Sequence, residues 1–121
     1  MNAPDGRVVH AEIKIGDSVV MLSDEYPERG ARAPISAGCC TQSLMLYVPD
    51  VDASYDRAIK AGAKAGSPLE NMFWGDRYGQ VIDPYGHKWQ LATHIEDVSP
   101  AEIEKRQKEF FARMTAGGTA A

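Results

Sequence analysis

A chain of 121 residues is long enough for one domain that buries roughly two-thirds of its unfolded surface, so it needs neither a disulfide nor a metal to fold. With 44% apolar and 25% charged residues it has the composition of an ordinary globular protein and excludes a disordered chain. The formal net charge of −4 argues against a nucleic-acid partner, which requires a basic face to neutralise phosphates.

In chain order, Met1 to Gly6 shows no periodicity and reads as an arm or loop. Arg7 to Ile15 alternates, with Val9, Ala11, Ile13 and Ile15 on one side and Val8, His10, Glu12 and Lys14 on the other. Gly16-Asp17 turns the chain, and SVVMLS (Ser18 to Ser23) returns, so 7–23 is a hairpin. The stretch 24–40 carries Pro27, Pro34, Gly30 and Gly38 and reads as a long linker or a lid over a site. Its adjacent Cys39 and Cys40 cannot easily bridge each other and lack CxxC or histidine partners, which points to reduced thiols in a cytoplasmic protein.

Alternation resumes at Thr41 to Val48, with Leu44, Leu46 and Val48 on one face and Ser43, Met45 and Tyr47 on the other. Asp50 or Asp52 can cap a helix to about Ala61, with Gly62 as its stop. An extended segment follows at Ala65 to Glu70. Then comes FWGDRYGQVIDPYGHKWQLATH (Phe73 to His94), two alternating flanks around the turn signal Asp83-Pro84-Tyr85-Gly86. Ser99-Pro100-Ala101-Glu102 predicts a helix start with a capping box, and the helix extends to Met114. Thr115 to Ala121 is expected to fray. No apolar run long enough to span a membrane and no signal-peptide pattern is visible.

The stretches SLMLYVPDVD (Ser43 to Asp52), AIKAGAK (Ala58 to Lys64) and VIDPYGHKWQLATH (Val81 to His94) resemble the vicinal oxygen chelate superfamily. That superfamily includes glyoxalase I, bleomycin-resistance proteins, fosfomycin-resistance enzymes and extradiol dioxygenases. GRVVHAEIKIGDSVVMLSDE and THIEDVSPAEIEKR are similar to its glyoxalase-like, demethylubiquinone methyltransferase-like branch. The resemblance implies an α+β fold of paired βαβββ modules, each a half-barrel whose concave face lines a ligand cavity. A single domain over 1–121 would then hold a hairpin remnant of module one (7–23), a complete module (41–95) and a C-terminal helix (99–114). The first module would lack its opening strand and helix, roughly twenty to thirty residues by usual element lengths. Exposed hairpin edges then imply a homodimer in which the edges pair or are covered.

Metal-using relatives place their ligands on the first and last strands of each module. Carried over, those positions fall on Met21, where the family has Glu, on Ser43, where it has His, and on Gln90, where it has Glu. A thioether, a hydroxyl and an amide are poor partners for a divalent transition metal, so no metal and no cofactor is expected. The resemblance then implies a small-molecule-binding protein with Met21, Ser43, Tyr47, Trp74, Lys88 and Gln90 around the ligand. The alternative is a lyase, isomerase or transferase that uses a divalent metal or the pair His10 and Glu12. These two leave the same face of one strand, where they form either a proton-handling pair or part of a solvated surface. Trp74, Asp76 and Arg77 read either as a group that stacks on and clamps a flat or amide-rich ligand or, for Asp76 and Arg77, as a pair bracing a loop, and Gly75 and Gly79 read as points of bulge or close backbone approach.

Overall fold

The structure is a computed structural model that describes residues 1–116; of the stretch expected to fray, Thr115 and Ala116 are helical, and 117–121 lie outside the described residues. The chain forms two compact units, Met1–Cys39 and a second beginning at Cys40.

In the first unit, β1 (Ala11–Ile15) and β2 (Ser18–Leu22) pair antiparallel with Ile13 opposite Val20. Gly16 takes the left-handed conformation, φ 62°, that closes so short a connection. Among the described residues the sheet has only these two strands, so each keeps an outer edge without a strand partner there. The linker contains a 3-10 turn (Pro27–Arg29) and a single-turn helix α1 (Pro34–Ala37), each opened by its proline and closed by a left-handed glycine.

In the second unit, β3 (Ser43–Tyr47), α2 (Val51–Lys60), β4 (Lys64–Asn71), β5 (Asp76–Ile82) and β6 (Lys88–His94) follow in βαβββ order. The sheet order is β3-β6-β5-β4, with β3 parallel to β6 and the remaining pairs antiparallel. The α2 crossover is what allows β3 and β6 to run parallel. Asp50 caps α2 by accepting from the Ala53 amide at 3.2 Å. Thr93 Oγ1 ties the same end to the sheet: it accepts from the Val51 amide and donates to the Val48 carbonyl, each at 2.8 Å.

The core lies between α2 and one face of this sheet. Val51, Val81 and Leu91 are buried there, with Leu46, Tyr55, Leu69 and Trp89 packed around them. Gly79 is needed on this face because a Cβ would stand 3.0 Å from both Leu69 and Tyr55. The β5–β6 turn is built as its residues dictate. Asp83 Oδ1 accepts from the Tyr85 and His87 amides, its Oδ2 accepts from Trp89 Nε1 at 3.0 Å, and Gly86 has φ 89°.

Helix α3 (Pro100–Ala116) begins where Ser99 Oγ accepts from the Glu102 amide. Only half of the expected capping box forms, because the Glu102 carboxylate accepts instead from Arg106 Nε at 3.1 Å. Arg106 also reaches Glu96 at 2.7 Å and the Phe73 carbonyl, and Phe110 lies against Phe73 with ring centres 5.3 Å apart. No helix among the described residues is long and apolar enough to cross a membrane.

Candidate functional site

The face of the four-stranded sheet opposite α2 is the candidate site. Strand parity puts Ser43, Met45 and Tyr47 of β3 there, beside Lys88, Gln90 and Ala92 of β6 and Tyr78 and Gln80 of β5. The register makes three rows across it: Ser43–Lys88–Ile82, Met45–Gln90–Gln80 and Tyr47–Ala92–Tyr78. Met45 and Tyr47 are exposed, at 40% and 63%, so within the described chain this face is open. Ala92 beneath them is fully buried, a small side chain between two tyrosine positions.

Two hydrogen-bonded groups organise the face. Gln90 Nε2 donates to Ser43 Oγ at 2.7 Å, which leaves the serine O–H, the second amide N–H and the amide oxygen open to a ligand. The other group centres on Asp76, which is only 3% exposed. Its Oδ2 accepts from the Tyr47 hydroxyl at 2.7 Å and from Trp74 Nε1 at 3.0 Å, and its Oδ1 meets His94 Nδ1 at 2.9 Å. Burial pushes the Asp76 carboxyl up, but the bonds from His94, Tyr47 and Trp74 outweigh it and hold the group below the ordinary carboxylate range. The same bond raises Tyr47, whose proton is held by Asp76. Asp97 at 2.7 Å from Nε2, and then Asp76, raise the His94 imidazole above its usual value.

The backbone beside this cluster is fixed by Gly75. A Cβ there would lie 2.2 Å from the Glu96 carbonyl, and the Gly75 carbonyl accepts from both the Ile95 and Glu96 amides. The close approach expected at Gly75 and Gly79 is therefore what both glycines supply. The expected Asp76–Arg77 pair is not formed. Neighbours on a strand leave opposite faces, so Arg77 turns away and takes both oxygens of Asp52 at 2.9 Å, which lowers the Asp52 carboxyl.

Of the residues predicted from sequence, Ser43, Tyr47, Lys88 and Gln90 stand together on the open face, and Trp74 joins them through Asp76. Met21 is 68% exposed on β2, opposite Glu12, in the first unit. His10 and Glu12 do meet, Nε2 to Oε2 at 2.6 Å, with both side chains more than two-fifths exposed. Sequence reasoning missed Asp76 and His94 as a pair. Counting β5 and β6 outward from the Asp83 turn would have set them opposite each other.

A hydroxyl and an amide that satisfy each other offer no anionic or imidazole donor, so Ser43 and Gln90 do not fit a divalent transition metal. Among the described residues no three His, Cys, Asp or Glu side chains gather into a group able to hold a metal ion.

Comparison with known proteins places this arrangement in context. The family model for the Glyoxalase/Bleomycin resistance protein/Dioxygenase superfamily matches residues 2–91. The chain is 42% identical over 104 residues to Mb0911c of Mycobacterium bovis, a match that covers 84% of this chain and 68% of the relative. It is equally similar to Rv0887c of Mycobacterium tuberculosis, of which it spans 61%. YjdN of Escherichia coli is 28% identical over 94 residues, 75% of this chain and 59% of that protein. Among solved structures, TioX from Micromonospora sp. ML1 superposes with a TM-score of 0.52 at 27% identity, covering 71% of this chain and 68% of its own. PA1353 from Pseudomonas aeruginosa gives a TM-score of 0.58 at 23% identity, with coverage of 79% and 71%, and shares the fold.

Proposed function

Because the chain belongs to the glyoxalase/bleomycin resistance protein/dioxygenase superfamily, we propose that it is a small-molecule-binding protein whose open sheet face works without a metal. The observation that carries this reading is the Ser43–Gln90 hydrogen bond. By the resemblance, these are the positions where metal-using relatives carry His and Glu, and the pair presents neutral donors and acceptors in place of charge. Tyr47, Trp74 and Met45 add aromatic and apolar surface, the combination by which sites of this kind bury an organic ligand and orient it. Lys88 borders the face opposite Ser43. The outer edges of the β1–β2 sheet, without a strand partner among the described residues, support a homodimer, since such edges tend to be covered. Sedimentation showing a stable monomer at micromolar concentration would remove the dimer from the proposal.

A thermal-shift screen over metabolites and antibiotics, run in parallel with EDTA and with added divalent metal, tests the binding reading. A ligand that raises Tm in the wild type and fails to do so in Gln90→Leu is the expected result. Hits that depend on added divalent metal would overturn it.

One observation favours a second reading, an enzyme that uses His10 and Glu12. The two are in hydrogen-bond contact at 2.6 Å, close enough for the carboxylate to set the imidazole tautomer. That reading requires His10→Ala and Glu12→Gln each to lower turnover while the fold stays intact; unchanged turnover in both would end it.

A further inference from the structure

At the Tyr47 end of the open face, the direction of each hydrogen bond limits what a ligand can offer. Asp76 is 3% exposed, so its carboxylate is out of a ligand's reach and acts through the groups bonded to it. Its Oδ2 accepts from the Tyr47 hydroxyl at 2.7 Å and from Trp74 Nε1 at 3.0 Å, which commits both protons. Tyr47 is 63% exposed, and what its hydroxyl still presents is a lone pair, an acceptor. The Trp74 indole is fixed by the same carboxylate oxygen and meets the Tyr78 ring edge to face, 6.2 Å between centroids. Such aromatic faces attract cations. Charge points the same way. Asp76 and Asp97 flank His94 at 2.9 and 2.7 Å, so the group carries one net negative charge with the imidazole protonated and two without. Arg77 does not offset this, because it is paired with Asp52. Lys88 lies four residues along β6 from Ala92, the partner of Tyr47, about 13 Å away.

We propose that this end of the face binds an organic ammonium, a protonated amine on an apolar body, and that Asp76 is the positioning residue that sets this choice. The ligand class rests on the small-molecule reading of the same face. The ammonium donates to the Tyr47 oxygen and lies against the Trp74 ring, and the body runs along Met45 towards Gln90. At hydrogen-bond distance from Tyr47 the cation stands about 5 Å from the buried carboxylate, close enough for attraction without displacing any of its bonds. A carboxylate or phosphate at the same place would meet a committed hydroxyl, aromatic faces and net negative charge.

The test is an NMR titration of the 15N-labelled full chain, in EDTA at pH 7, with phenethylamine hydrochloride, and with 2-phenylethanol and 3-phenylpropionate as neutral and anionic counterparts. Saturable shifts at the Trp74 indole N–H and the Tyr47 and Ala92 amides are expected, with phenylethanol binding about tenfold more weakly and phenylpropionate not saturating. Tyr47→Phe keeps the ring and should weaken phenethylamine about tenfold, the scale of a lost charge-assisted hydrogen bond. Asp76→Asn should narrow the preference for phenethylamine over phenylpropionate, a change in charge selectivity that a merely structural role would not produce. If that variant fails to fold, Tyr47→Phe alone decides. The proposal is overturned by the absence of saturable shifts on the face, by equal or tighter binding of either counterpart, by a Tyr47→Phe variant that titrates like the wild type, or by unchanged charge preference in a folded Asp76→Asn. Neutral or anionic ligands that depend on Gln90 but not on Tyr47 in the thermal-shift screen would also overturn it, and would leave the small-molecule reading standing.

Discussion

The two faces of the β3–β6 sheet are made by the same strands and serve opposite ends. On the α2 side, Val81 and Leu91 alternate inward and are sealed by Val51. On the other side, the intervening residues are Tyr47, Gln80, Gln90 and Asp76, and the face stays open. The closed face stabilises by removing apolar surface from water; the open face holds its shape through hydrogen bonds between side chains. A substitution on the first should therefore cost stability, and one on the second should cost binding. Asp76 and Ala92 are the exceptions, because both are buried on the open side.

That contrast can be broken most severely at the core. Leu91→Ala should destabilise by about 3 kcal/mol in urea unfolding, the usual scale for a truncated core leucine. Asp76→Asn keeps the side-chain volume but removes the charge that Tyr47, Trp74 and His94 all address, so a loss of about 2 kcal/mol is expected by the same assay. A value near zero would mean that the open face is held by something other than this carboxylate.

His94, held by Asp97 and then by Asp76, and the Asp76 carboxylate also set a pH dependence. The imidazolium is favoured in the folded state, so the His94 contribution is complete below about pH 6.5 and disappears as pH rises through the raised folded value. The carboxylate is favoured in the folded state as well, so the Asp76 contribution is complete above about pH 4 and disappears as pH falls through its lowered value. Stability from the pair is greatest between the two. Thermal melts across pH 3–9 should show less alkaline loss in His94→Gln than in the wild type.

Smallest in stability and largest in binding are the changes at the neutral pair. Ser43→Ala or Gln90→Leu removes one hydrogen bond on an accessible face and should shift stability by less than about 1 kcal/mol. The same variants should abolish the ligand-induced rise in Tm. If they unfold the protein instead, the two faces are not separable in the way their residues suggest.

Much of this arrangement is legible in the residues, and for local reasons. The Asp83-Pro84-Tyr85-Gly86 turn is self-contained: its aspartate, its glycine and the Trp89 donor six residues on all act within one hairpin. Alternation in SLMLY and KWQLATH gives the two faces directly, because parity on a strand is a rigid geometric rule. The Asp76 cluster is harder to read. It joins Tyr47, Trp74 and His94 from three separate segments, and adjacency in sequence suggested Arg77 as the partner. Parity already forbids that pair, and the correct partner of Arg77, Asp52, comes from α2 on the far side of the sheet. The half-formed capping box at Ser99 shows the same limit, since Glu102 has a competing partner one helical turn away in Arg106.

The central claim is that the open face binds its ligand with neutral groups and without a metal, and the metal content of the purified protein tests it most directly. After dialysis against buffer free of chelator, elemental analysis should find far less than one divalent transition-metal ion per chain. About one ion per chain, retained through dialysis and lost in Gln90→Leu, would contradict the account.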